Sequence, residues 1–278
     1  MSVVVITKAD GTQEPFRPEK LDNSLKRAGA RQEIRKEIVS AIGDKITPGM
    51  STQEIYARAF SMLRKRADIP VAARYSLRRA LQAFGPTGFP FEAFVAELYR
   101  ADGYKAEVGV IAQGKCMEHE LDVVAVKGRA RLGAELKFHN RPGFKTDVKT
   151  ALYVHARFED LHQGTIEKQI TKRMLITNTK FTSNAIRYSE CVGLTLMGWN
   201  YPEKENLQDL IAKSGLHPIT CLTTISGTDK EKLLSRGIVL CRDVKQSPER
   251  LARLGFSKQK IKRITEESAY LCQAPKSR

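Results

Sequence analysis

The sequence predicts an α/β multidomain protein: a small β-hairpin plus helical bundle, then a central α/β unit, then a small C-terminal helical domain. Three observations predict it. Strand-like and helix-like apolar patterns fall in separate blocks along the chain. The stretch Gly85-Pro86-Thr87-Gly88-Phe89-Pro90 has two glycines and two prolines in six residues, the composition of a linker. The length of 278 residues suits two or three domains, and 41% hydrophobic residues suffice for more than one core.

The first block opens with the β-branched run Val3 to Ile6, a turn over Lys8-Ala9-Asp10-Gly11-Thr12, and a short return strand, Glu14-Pro15-Phe16. Pro18 then opens a helix that runs to Ala28 and ends near Gly29. Helical spacing continues over Arg31 to Lys45, Ser51 to Arg66 and Val71 to Phe84. Ser51 or Thr52 is the expected N-cap of the third helix, with Glu54 in its first turn.

Beyond the linker, Phe91 to Gly103 is helical, with Phe91, Phe94, Val95, Leu98 and Tyr99 on one face, and Tyr104 to Ala112 is a strand. Two apolar runs follow as arms of a hairpin, Glu118 to Lys127 and Arg131 to His139. Lys145 to Leu161 is expected as one long helix, with His155 a packing or surface residue. Met174 to Thr182, Asn184 to Val192 and Leu194 to Trp199 then give strand, helix, strand. Asn178, Thr179, Lys180 and Ser183 lie where that strand meets its helix, a place for phosphate contact or for a plain turn. Tyr201 to Asn206 is polar and closes the unit, and the remaining segments are short and mostly helical.

The net charge of +16 favours a polyanionic partner, nucleic acid first. Its distribution is uneven: +7 over residues 1–90, +3 over 91–200 and +6 over 201–278. A centre that must keep carboxylates accounts for the smaller middle value. The five cysteines form no C-x-x-C, and the histidines show no zinc spacing, so they are expected as reduced, mostly buried thiols of a cytoplasmic protein. No apolar run approaches the ~20 residues of a membrane helix, so no membrane partner is expected.

The hairpin carries the chemistry. Asp122 lies at the start of the first arm, and Glu135 and Lys137 flank Leu136 on the second. Residues two apart on a strand share a face, so Glu135 and Lys137 look out together beside Asp122. Two carboxylates suit a hard divalent cation that bridges to phosphate, and a lysine can orient water while stabilising negative charge. Glu-x-Lys also arises by chance in solvated strands. Here both arms are otherwise apolar, and the order helix, hairpin, strand, helix, strand surrounds them.

This arrangement resembles the PD-(D/E)XK nucleases in their Mrr-type restriction endonuclease form. Asp122 matches the acid of the first motif, with Leu121 in place of the usual proline, and Glu135-Leu136-Lys137 matches E-x-K. The resemblance implies a mixed sheet flanked by helices. It also implies Mg²⁺ or Mn²⁺ held by Asp122 and Glu135, water positioned by Lys137, and a DNA endonuclease used in restriction or defence. A repair nuclease would fit the same residues. In this family a glutamate at the place of Glu92 approaches the metal; otherwise Glu92 simply favours the helix dipole.

The first 85 or so residues resemble the ATP-cone, a nucleotide-sensing regulatory domain. The resemblance rests on Ile6-Thr7-Lys8-Ala9-Asp10-Gly11, Glu14, Phe16, Glu19-Lys20-Leu21 and Ser51-Thr52-x-Glu54-Ile55. It implies that Lys8, Lys20 and Thr52 contact phosphates of ATP or dATP, with Glu14 on the nucleoside side and Arg78 or Arg79 as a further base. Ala9 replaces the family's usual arginine. In the tail, Leu254-Gly255-Phe256-Ser257-x-x-Lys260-Ile261 resembles a helix-hairpin-helix, whose turn holds a DNA phosphate without reading sequence. Lys258, Lys260, Lys262 and Arg263 surround it, and Ser257 stands where a second glycine is usual. The alternative is a small packing or dimerising bundle.

The expected organisation is therefore an ATP-cone over 1–88, a nuclease domain over 89–202, and a linker with a DNA-binding module over 203–278. The expected partners are DNA, a nucleoside triphosphate and a second copy of the chain. The rival reading is a non-catalytic, nucleotide-sensing DNA-binding regulator on a relic nuclease scaffold; a scaffold has no need of charges clustered on a hairpin. An RNA nuclease is less favoured, since the single Trp199 offers little stacking platform.

Overall fold

A computed structural model describes residues 4–66, 69–164 and 170–272. The α/β multidomain organisation holds. In the first block, β1 (Val5–Thr7) pairs antiparallel with β2 (Gln13–Pro15), Ile6 opposite Glu14. Helices α1 (Pro18–Arg27), α2 (Gln32–Gly43), α3 (Thr52–Lys65) and α4 (Ile69–Tyr75) follow. They close over Leu21, Leu25, Ile38, Ile42, Ala59 and Leu63, all buried. Ser51 caps α3: its hydroxyl accepts the Glu54 N–H at 3.1 Å, and Glu54 accepts the Ser51 N–H at 2.8 Å. Val3, assigned to the first strand from sequence, lies outside the described residues.

The helix expected over Val71 to Phe84 is two pieces, α4 and α5 (Leu77–Gln82), broken at Ser76. The Ser76 hydroxyl bonds the Ala73 carbonyl at 2.8 Å, a local partner that competes with the helix ladder.

A mixed sheet forms the centre of the chain. Helix α6 (Phe89–Ala101) precedes it. Strands β3 (Lys105–Gln113), β4 (Glu118–Lys127) and β5 (Ala130–Lys137) form an antiparallel meander. The expected long helix instead begins as a two-residue strand, β6 (Lys145–Thr146), and α7 covers Val148–His162. Asp147 ends the extended segment by accepting the Thr150 N–H, which starts the helix there. Then come β7 (Lys172–Thr177), β8 (Lys180–Phe181), α8 (Ser183–Val192) and β9 (Thr195–Met197). The strand order is β3-β4-β5-β7-β9; β5, β7 and β9 run parallel, and β6 pairs with β8 beside the sheet.

Helix α6 packs on one sheet face, against Val123, Ala125, Ala134 and Leu136. Helices α7 and α8 pack on the other, against Leu121, Val124, Leu175 and Leu196. The alternation inverts at one place. Ala106 and Val108 belong to the α6 side, Val110 and Ala112 to the α7 side, and the β3–β4 ladder skips the pair Gly109 and Asp122 between them. Gly109 has φ +62°, a left-handed kink that a glycine adopts without steric cost.

The tail is α9 (Leu207–Ser214), a 3₁₀ turn over Ile219–Cys221, α10 (Gly227–Leu234), α11 (Cys241–Gln246), α12 (Glu249–Arg253) and α13 (Lys258–Leu271). Among the described residues it has no separate core. Leu222, Leu233, Val244, Leu251, Ile264 and Leu271 share one buried cluster with α5 and α6. Polar contacts tie it down as well: Arg242 to Glu97 at 2.5 Å, Lys213 to Asp102 at 2.7 Å, and the Thr220 hydroxyl to the Ala80 carbonyl at 2.6 Å. Buried Glu267 accepts four hydrogen bonds, from the N–H and hydroxyl of Thr223 and of Thr224. Among the described residues no helix is long and apolar enough to cross a membrane. Cys221 and Cys241 are buried, but Cys116 and Cys191 are exposed, so the expectation of mostly buried thiols is only partly met.

Candidate active site

The β4–β5 ladder ends at Val123 and Ala134, one residue short of Asp122 and Glu135, so the strands part where the two carboxylates stand. Asp122 is therefore not at the start of its strand but inside it, opposite the Gly109 kink. Its Oδ2 accepts the Leu136 N–H at 2.6 Å. Burial first, and then the charge of Glu135, push the Asp122 carboxyl up to about 6, against the Leu136 donor and the cations Lys137 and Arg157.

Glu135 is buried, with 5% of its surface exposed. Lys137 Nζ donates to its Oε1 at 2.8 Å and Arg157 Nη1 to its Oε2 at 2.5 Å. Arg157 Nη2 donates to the Glu120 carbonyl. Arg157 reaches the site from α7, and the motif gave no sign of it. A signal was present nonetheless. Val154, Arg157, Phe158 and Leu161 share the apolar stripe of α7, and an arginine on such a stripe needs a buried partner.

Glu92, in the first turn of α6, comes to the same place from the other face of the sheet. Burial first, then Asp122, Glu120 and Glu135, push its carboxyl up to about 7, with Lys137 opposing. The structure thus brings Glu92, Asp122, Glu135 and Lys137 together. Crowded carboxylates whose charging is resisted are a donor set that a divalent cation relieves. Among the described residues no three Asp, Glu, His or Cys side chains gather tightly enough to enclose an ion by themselves. The set fits Mg²⁺, which binds through one or two carboxylates and keeps several waters.

In the first block, Lys8 and Lys20 both reach Glu14 Oε2, each at 2.9 Å, and hold the Glu14 carboxyl below its ordinary value, Lys20 more than Lys8. Thr52 starts α3 next to the end of β1, since the Thr7 N–H donates to the Met50 carbonyl and Thr7 bridges Ser51. Arg79 lies over the Tyr56 ring, 3.6 Å from its centre, while the Arg78 Nε is buried with no hydrogen-bond partner among the described residues.

In the tail, Gly255 has φ +78° in the turn between α12 and α13, and Ser257 caps α13 by accepting the Lys260 N–H at 3.3 Å. Lys258, Lys262 and Arg263 are exposed. Lys260 is not free, because its ammonium pairs with Asp229 at 2.6 Å and lies 5.4 Å from the centre of the Phe256 ring. His155 bonds the Tyr188 hydroxyl at 2.9 Å, in keeping with a packing role.

Three stretches of the chain match known protein families. Residues 4–83 match the ATP cone domain, residues 86–200 match a restriction endonuclease domain (Mrr_cat), and residues 217–272 match the AF1548-like C-terminal domain. An uncharacterized protein of Archaeoglobus fulgidus is 41% identical over 179 residues, which is 63% of this chain and 97% of the relative. The crystal structure of AF1548, a protein of unknown function, superposes with a TM-score of 0.57 at 37% identity, covering 68% of this chain and all of that one.

Proposed function

We propose that this chain, which belongs to the AF1548-like family and carries an ATP cone ahead of a restriction endonuclease domain, is a metal-dependent DNA endonuclease under nucleotide control. Residues 89–202 cut, residues 1–88 bind ATP or dATP, and residues 203–278 contact DNA while completing the core beneath α6. The observation that carries the reading is Glu135 held between Lys137 and Arg157, with Asp122 and Glu92 beside it.

Asp122 and Glu135 would hold Mg²⁺ or Mn²⁺, with Glu92 assisting; the ion supplies charge neutralisation at the phosphate and a more acidic water. Lys137 orients the attacking water and stabilises charge that develops on the phosphoryl oxygens. Burial and the neighbouring carboxylates resist the charging of Glu92 in the metal-free site, and a cation held there would favour its ionised form. Arg157 touches no reacting atom: it fixes the Glu135 rotamer and is a positioning residue. Lys258, Lys262 and Arg263 supply sequence-neutral affinity, with Lys260 bracing the turn through Asp229. A cytoplasmic homo-oligomer suits double-strand cutting, which needs two sites, in restriction or defence or in repair.

The test is plasmid cleavage by purified protein with Mg²⁺, with EDTA, and with ATP or dATP added. Cleavage that needs the metal and disappears in Asp122→Ala and Glu135→Ala is expected. Equal cleavage by folded Asp122→Ala protein would refute the catalytic reading. Nucleotide-dependent DNA binding without any cleavage would favour the regulator.

A further inference from the structure

Lys145 and Lys180 face each other in register on the two-residue strands β6 and β8. Parallel partners of like charge repel, and nothing in the catalytic site uses them. The pair abuts the hairpin turn of the cone. Lys145 Nζ lies 3.6 Å from Asp10 on that turn, and Gly143 approaches so closely that a Cβ there would stand 2.7 Å from the Ala9 carbonyl oxygen. Lys8, Arg78 and Lys145 all bear electrostatically on Lys180, with Asp10 as the counter-charge.

Five cations therefore converge on this seam: Lys8, Lys20, Arg78, Lys145 and Lys180. Among the described residues only Asp10 and Glu14 answer them, and the Arg78 Nε is buried there with no hydrogen-bond partner. Burial first, then Arg78, Lys8 and Lys145, lower the Lys180 pKa, although its side chain still faces solvent. A cluster this unbalanced costs stability and persists where a polyanion neutralises it. Lys8 and Lys20 belong to the cone, Lys145 and Lys180 to the nuclease half.

We propose that the polyphosphate of a nucleoside triphosphate seated on the cone is clamped from the opposite side by Lys145 and Lys180, so that the nucleotide site spans the seam between cone and nuclease. The inference rests on the reading of the first domain as nucleotide-binding and adds the residues that let the nuclease sense the ligand. The route to the catalytic strand is short. Lys137 pairs in register with Thr177, whose hydroxyl donates to the Lys137 carbonyl at 2.7 Å. Asn178 clamps His139 through both the backbone N–H, at 2.9 Å, and the carbonyl, at 2.8 Å. Lys180 follows two residues later. A phosphate that draws Lys145 and Lys180 together acts on both ends of the segment that leaves Lys137. DNA phosphate is the other polyanion these lysines could meet. The nucleotide is favoured because Asp10 ties Lys145 to the cone itself.

Titration calorimetry on the full chain, with ATP and with inorganic triphosphate, tests this on wild type, Lys145→Gln, Lys180→Gln, Lys180→Arg and Lys8→Gln. Both nuclease-side glutamine variants should bind each probe about tenfold or more weakly, and Lys180→Arg should stay near wild type. Without ligand, Lys180→Gln should melt no lower than wild type, because it removes repulsion; this separates loss of the clamp from loss of the fold. Wild-type affinity for ATP in folded Lys180→Gln, with affinity lost in Lys8→Gln, overturns the clamp and leaves the cone reading intact. Weakened binding of duplex DNA with unchanged ATP binding also overturns it. No heat from wild type at millimolar ATP overturns both.

Discussion

Arg157 donates to Glu135 Oε2 at 2.5 Å and so closes, from helix α7, the carboxylate that Lys137 holds from within its own strand. Both side chains are largely buried, at 14% and 6% exposed. Removing one partner leaves a buried charge with half its compensation. Arg157→Ala should destabilise the chain by about 2–3 kcal/mol, less than a wholly orphaned buried ion because Lys137 remains. Urea titration reads the loss. Cleavage should fall as well, with Arg157→Lys recovering part of it. An Arg157→Ala protein with unchanged stability and an unchanged metal requirement would show that the pair is incidental.

Metal affinity should be pH-dependent with a defined sign. Asp122 is raised from its ordinary 3.8 to about 6, and Glu92 from 4.5 to about 7. Both bind protons more tightly folded than unfolded. Across that window the folded chain holds more protons, so metal-free stability falls as pH rises from about 4 to about 7, and the loss is complete above it. A bound cation favours the ionised forms, so its stabilisation grows over the same range and protons are released. Melting curves from pH 5 to 8, in EDTA and in Mg²⁺, should diverge as pH rises. A gap that is the same at pH 5 and pH 8 would contradict this.

The Gly109 kink is expected to matter for both fold and site. At φ +62° a side chain is strained, and a Cβ would stand 3.3 Å from Glu120 Oε1. Gly109→Ala should cost about 1–2 kcal/mol. It should also lower cleavage, because the kink sets where Asp122 leaves the ladder. Denaturation together with single-turnover cleavage measures the two effects. Full activity in a variant destabilised by that amount would sever the kink from the site.

Deleting the tail is not a clean test of DNA contact, since Leu222, Leu233, Ile264 and Leu271 belong to the core shared with α6. Charge substitutions are. Replacing Lys258, Lys262 and Arg263 by glutamine should lower the salt slope of DNA binding by roughly 0.9 for each phosphate no longer neutralised. Lys260→Gln should change the slope less and instead cost about 0.5–1 kcal/mol, because it breaks a partly exposed pair with Asp229. Fluorescence anisotropy at several salt concentrations distinguishes them, and an unchanged slope in the triple variant would remove the tail from the DNA interface.

The local pieces are legible in the residues alone. Glu135 and Lys137 are two apart on a strand, so their meeting is fixed by backbone pleat alone, and Asp122 on the preceding arm follows from hairpin pairing. Glu92 in the first turn of α6 and the Ser51 cap of α3 were legible for the same reason, being set within a few residues. Packing in three dimensions settled which faces meet. Arg157 comes to Glu135 only because α7 lies across β5, and Lys260 is diverted only because Asp229 of α10 packs beside it. The tail's helices, readable singly, gave no sign that they complete the core beneath α6. The contact of Lys145 with Asp10 joins residues far apart in sequence. Periodicity specifies which side of an element is buried. It carries no information on what buries it, because that is settled by the packing of whole elements against one another.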